Sequence, residues 1–152
     1  MHCLAVFLIS ATFLTGCATV THDSSQSIMI ETASADGLPV EGAECRAAND
    51  FGNYSGMSGA TIKVHRSGDQ LELLCMHPDY FDAEGRAISR ANVGLAGNVL
   101  AGGMIGGLVD QASGAGYSYP SHIRLVFGKS LVFDRANEQD NQADFGSEPG
   151  RR

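Results

Sequence analysis

The sequence predicts a mainly β fold: a small antiparallel β-sandwich with one Gly-rich helix inserted before the last strands. Three observations carry that prediction. Short runs alternate apolar with polar side chains, the period of a half-buried strand. Turn residues separate those runs at close intervals, as in sandwiches and barrels. One uncharged, glycine-rich stretch interrupts the series late in the chain. The 152 residues, 43% apolar and without Trp, suit one domain with appendages rather than two cores. Lys plus Arg is 10 and Asp plus Glu is 17, a formal charge of -7. An acidic chain with no basic run lacks the electrostatic footprint of a nucleic-acid binder.

The first element is an address. Residues 4–14 (LAVFLISATFL) form an apolar run of eleven, too short for a bilayer core that takes about 20 helical residues. It has the length of the apolar part of a signal peptide. Directly after it, Leu14-Thr15-Gly16-Cys17 resembles the lipobox of bacterial lipoproteins. That resemblance implies removal of residues 1–16, a diacylglyceryl group on the Cys17 thiol and a further acyl chain on its amine. Two or more chains hold a protein firmly to a membrane. Ala18, rather than Asp, in the position after Cys17 implies the outer membrane, with the domain facing the periplasm. Met1-His2-Cys3 departs from the pattern in having no Lys or Arg. Residues 17–27, polar after Cys17, read as a tether to a domain spanning 28–133.

Within that domain, Ile28-Met29-Ile30 begins a strand and Asp36-Gly37-Leu38-Pro39 makes a turn, Gly permitting positive φ and Pro presetting its own. A strand through Cys45 follows, then a polar turn near Asn49 to Asn53. Ile62 and Val64 alternate with Lys63 and His65, and Ser67-Gly68-Asp69 reads as a hairpin connection to a strand over 70–76. Later, Ile123, Leu125 and Phe127 alternate with His122 and Arg124, and Leu131-Val132-Phe133 is the last strand. With Cys3 in the signal and Cys17 lipidated, Cys45 and Cys75 remain, an even number that in an exported chain reads as a disulfide. Parity agrees: Cys45 shares a face with Ala43 and Ala47, and Cys75 with Leu71 and Leu73. As a metal set, Cys45, Cys75, His65 and His77 lack the close spacing of strong zinc sites, so no metal is expected.

The order Gly37-x-Pro39-Val40-x-Gly42-Ala43-x-Cys45, then Gly52, Thr61-Ile62-Lys63-Val64, Leu71-x-Leu73-x-Cys75 and Pro78-Asp79-Tyr80 resembles PEGA-like and carboxypeptidase-regulatory-like modules. These are transthyretin-like β-sandwiches with binding or scaffolding roles and no catalytic residues of their own. The resemblance covers under a third of the chain and implies fold more than function. The two cysteines, the later glycine segment and the Tyr119-Pro120 step together resemble a family of small uncharacterised proteobacterial lipoproteins, which carries no established activity across.

Residues 91–109 (ANVGLAGNVLAGGMIGGLV) hold no charge over nineteen positions, six of them Gly. Gly102 and Gly106, and likewise Gly103 and Gly107, are four apart, so a helix over about 91–112 would present small residues for close packing. Each Gly costs about 1 kcal/mol in an exposed helix relative to Ala, so such a helix needs something packed against it. Three partners are open: its own sandwich, another copy or an envelope protein, and the bilayer. Residues 134–152 are polar with one aromatic, Phe145, and read as a disordered tail that cannot offset its ordering entropy.

No GxSxG, HExxH, Walker or Rossmann pattern occurs. His22 falls in the tether, His65 and His122 on outward strand positions, and His77 before a turn. Asp79 and Asp82 read as solvating a loop around Tyr80 and Phe81. The expectation is a non-enzymatic lipoprotein of the bacterial envelope without cofactor. It would be bound to the membrane through its lipid and act as a structural or protein-interaction module. The alternative is a self-assembling or membrane-active component using residues 91–109.

Overall fold

Alternation becomes strand wherever the inward positions find a second sheet to cover them. In the computed structural model, which describes residues 24–91, 114–137 and 144–150, ten strands form: β1 (Ser25–Ala33), β2 (Glu44–Asn49), β3 (Gly52–Met57), β4 (Thr61–His65), β5 (Leu71–His77), β6 (Tyr80–Ile88), β7 (Arg90–Ala91), β8 (Tyr117–Ser118), β9 (His122–Val126) and β10 (Ser130–Asp134). One turn of 3-10 helix, Arg135–Asn137, follows β10. A three-stranded sheet runs β4-β1-β9, a five-stranded sheet runs β10-β6-β5-β2-β3, and β7 pairs with β8.

The two larger sheets enclose one core. The three-stranded sheet contributes bulk, with Ile28, Ile30, Ile62, Val64, Ile123 and Leu125 all buried. The five-stranded sheet answers with small side chains on its central strands, Cys45, Ala47, Ala83 and Ala87, with Ala43 just before β2, beside Leu71, Leu73 and Phe133. Large against small lets the layers interdigitate at interior density. At Gly85 the facing layers leave no room for a side chain: a Cβ there would stand 2.5 Å from Leu125 and 2.8 Å from Phe133. Cys45 and Cys75 are direct cross-strand partners in the β2–β5 ladder and are joined by a disulfide in the core.

Five expectations are corrected. The sheets are mixed, because β1 pairs β9 and β6 pairs β10 in parallel. Alternation assigns a face to each residue but says nothing of the neighbour's direction. Ser67-Gly68-Asp69 is not a hairpin turn: β4 pairs with β1, and β5 with β2 and β6, so this connection crosses from one sheet to the other. Tyr80 and Phe81 are not in a loop but open β6, a strand whose inward residues Ala83, Gly85 and Ala87 are too small to announce it. The polar tail is structured in part. Asp144 bridges β9 at Ile123 and Ser147 bridges β10 at Val132, so the segment covers the open edges of both sheets with main-chain hydrogen bonds. Such bonds depend little on side-chain polarity, which is why composition missed them. Ser25, Gln26 and Ser27, read as the end of the tether, belong to β1. The Gly-rich helix, with Gly102, Gly103, Gly106 and Gly107, lies outside the described residues, as does Cys17.

The strand directions divide the sandwich into two poles. At the pole where β1 begins, the Arg66 amide donates to the Ser24 carbonyl at 2.7 Å, Ser89 donates to the Ser67 carbonyl, and Gly114 packs its bare backbone against Arg66. This N-terminal pole therefore holds the start of the described chain and both flanks of residues 92–113. The opposite pole is made by the 34–43 segment, the turn between β5 and β6, and the 127–129 turn, tied by Phe127 N–H to the Ala33 carbonyl at 2.9 Å and Gly128 N–H to the Asp82 carbonyl at 3.1 Å.

Candidate functional site

At that distal pole the three connections leave a cleft of about 480 Å³ between Ser34, Asp36, Pro78, Tyr80, Phe81 and Phe127. Its aromatic residues arise from different strands. Phe127 follows β9 and is buried as core, while Tyr80, the first residue of β6, stacks on it with ring centroids 4.9 Å apart and planes 20° apart. His77 closes the group, 5.2 Å from the Tyr80 ring. Its Nδ1 accepts the Asp79 amide N–H at 3.2 Å. Phe81, where the β5–β6 ladder shifts register, is 87% exposed, and Leu38 in the facing segment is 66% exposed. The Ser34 hydroxyl is buried with no hydrogen-bond partner. Chemically, the cleft offers aromatic edges and faces, nearby carboxylates and, beneath its lining, one buried hydroxyl without a partner.

The N-terminal pole is built differently. Gln26 of β1 clasps the backbone of Tyr119, its Nε2 donating to the Tyr119 carbonyl at 2.8 Å and its Oε1 accepting the Tyr119 N–H at 3.0 Å. The buried Tyr119 hydroxyl donates to the Asp69 carbonyl at 2.9 Å and receives Asn49 Nδ2 at 3.2 Å. Burial raises its pKa above the ordinary tyrosine value, with the Asn49 hydrogen bond opposing. Asn49 also donates to the His65 carbonyl at 2.8 Å, and His65 stacks on Phe51 at 4.0 Å.

On the outer face of the three-stranded sheet, Arg124 binds Glu31 at 2.6 and 2.9 Å. The hydrogen bond from Arg124 is the main cause that holds the Glu31 carboxyl below its usual range. His122 Nε2 lies 3.2 Å from the same carboxylate. Arg124 also sits 5.1 Å from the Phe145 ring centre, a cation–π contact that holds the edge-covering segment. Asp134, paired with Arg90, is likewise held below the usual aspartate range, chiefly by that hydrogen bond.

Of the residues singled out in the sequence, Cys45 and Cys75 are brought together, and their disulfide takes both sulfurs out of the alternative metal set with His65 and His77. Asp79 lines the cleft, while Asp82 adjoins it through its carbonyl, which accepts the Gly128 N–H. Gln26, Asn49 and the Tyr80–Phe127 stack were not legible as functional or structural partners, because their pairings join strands far apart in the chain. Among the described residues there is no group of three or more metal-capable side chains, and no helix is long and apolar enough to cross a membrane. Compared with protein-family models, curated proteins and solved structures, the chain matches none.

Proposed function

We propose that the protein is a non-enzymatic lipoprotein of the bacterial envelope, lipidated at Cys17, held on the outer membrane and facing the periplasm. There it acts as a structural or protein-interaction module. The observation that carries the reading is the division into poles. The chain enters the sandwich at Ser24 on one pole, and the exposed aromatic cleft lies at the other, so a tether on the first leaves the second free to meet a partner. The buried Cys45–Cys75 disulfide supports an oxidising compartment, as does the lipobox-like Leu14-Thr15-Gly16-Cys17. The PEGA-like and lipoprotein resemblances support a scaffolding role in the same way. Metabolic labelling with a palmitate analogue tests the anchor: wild-type protein takes up label and Cys17→Ala does not. Label retained in Cys17→Ala overturns the reading.

One observation favours a more specific role for the Gly-rich segment. Both of its flanks, Ala91 in β7 and Gly114, leave from the N-terminal pole beside Ser24, the pole that a lipid on Cys17 would bring to the bilayer. On this reading residues 91–109 form a helix that packs through Gly102, Gly103, Gly106 and Gly107 on a second copy or against the membrane surface. Gly102→Leu with Gly106→Leu tests it: assembly or vesicle binding is lost while the sandwich keeps its stability. Loss of folding in a monomer would instead assign the segment to its own sandwich.

A further inference from the structure

We infer that the distal cleft docks a basic, aromatic-bearing peptide segment of a partner protein. This deepens the interaction-module reading and rests on it. Three observations converge on that chemistry. First, Leu38, Tyr80 and Phe81 expose apolar surface around a cleft floored by Phe127. Aromatic side chains of this kind, set around a pocket, are the usual energetic centre of a protein interface. Second, the charge around them is one-sided. The three connections carry Asp36, Glu41 and Asp79, with Asp82 next to them on β6, against Lys129 alone. Asp79 is 83% exposed at its side chain and 3.9 Å from His77, so its carboxylate remains available at the rim. Third, the buried Ser34 hydroxyl has no partner and can satisfy one polar atom of an incoming chain.

Together these specify the occupant. An anionic polymer or lipid headgroup is repelled by the unbalanced carboxylates. A neutral sugar would gain stacking but nothing from the charge. A Lys or Arg beside an aromatic residue uses both: the ring fills the cleft over Tyr80 and Phe127, and the cation meets Asp36 and Asp79. Electrostatic complementarity of this sort also discriminates against wrong partners. The position fits, because the cleft is at the pole opposite Ser24.

The test uses the lipidated full chain in neutral detergent micelles and the probe acetyl-Lys-Trp-Lys-amide. The protein contains no Trp, so indole emission reports the probe alone. The inference expects a blue shift and raised anisotropy on binding, about tenfold weaker binding for acetyl-Glu-Trp-Glu-amide, and loss of preference at high salt. Phe81→Ala abolishes the signal, and Asp36→Asn with Asp79→Asn removes the preference for the lysine probe. Equal binding of the two peptides, binding unchanged in Phe81→Ala, or competition by a chitin oligosaccharide but not by lysine peptides would overturn it. Palmitate labelling is independent of this outcome, so a failed titration on a labelled protein rejects the cleft assignment and leaves the anchor standing.

Discussion

The two poles of the sandwich spend their polar groups in opposite ways. At the N-terminal pole, side chains are turned inward to tie backbone segments together: Gln26 to Tyr119, Asn49 to His65 and Tyr119, Ser89 to Ser67. At the distal pole the aromatic residues and carboxylates face out, and Ser34 keeps an unpaired hydroxyl. One pole is fastened where long connections enter and leave. The other is open between the 34–43 segment, the β5–β6 turn and the 127–129 turn. The contrast teaches that substitutions at the first should cost folding, whereas substitutions at the second should cost recognition.

The largest effect is expected at Tyr119. Its ring is 1% exposed, and Tyr119→Ala should lose about 3 to 5 kcal/mol of stability in denaturant titration. A loss near zero would remove the distinction between the poles. Next is the disulfide: Cys45 and Cys75 are 30 residues apart, and Cys45→Ala with Cys75→Ala should cost about 3 to 4 kcal/mol on the loop-entropy estimate. The denaturation midpoint of the wild type should fall comparably in reductant.

Gly146→Ala comes third. Gly146 has φ +62°, and an added Cβ would stand 2.8 Å from Phe133 and 3.0 Å from Leu131. A cost of about 1 to 3 kcal/mol, with earlier proteolytic removal of the C-terminal segment, would show that the edge cover belongs to the fold.

A smaller effect belongs to Glu31. The Arg124 hydrogen bond holds its folded carboxyl below the ordinary glutamate range. A depressed carboxylate contributes fully above the unfolded value and loses that contribution as pH falls through the folded one. Glu31→Gln should therefore lower the melting temperature at pH 7, by the equivalent of about 1 kcal/mol or less. The difference from wild type should close below the glutamate range. The smallest expected effect is Phe81→Ala, which should change stability by no more than about 0.5 kcal/mol while removing the cleft's outer ring.

The sequence was legible where bulky side chains kept strict alternation. Ile28 and Ile30, Ile62 and Val64, and Ile123 and Leu125 all point into the core as their parity requires. The cysteine pairing was legible for the same reason, since both thiols fell on the inward parity of their strands. What escaped is instructive in physical terms. β3 and β6 have inward positions filled by Gly, Ala or Tyr, because the opposing sheet already supplies the volume; small residues leave no hydrophobic signal. The cleft escaped because Tyr80 and Phe127 meet only through the turns of separate strands. Asp144 and Ser147 escaped because an edge strand is recruited by main-chain donors and acceptors rather than by apolar side chains.

The arrangement of the poles relative to the bilayer is the central claim, and resonance energy transfer tests it most directly. Single donors are placed at Leu38→Cys and at Asp50→Cys in lipidated protein on vesicles whose headgroups carry the acceptor, with the buried disulfide left intact. Nine residues of β1 separate the poles by about 30 Å. Strong transfer from position 50 and weak transfer from position 38 is the predicted result; equal transfer from both, or stronger transfer from position 38, would contradict it.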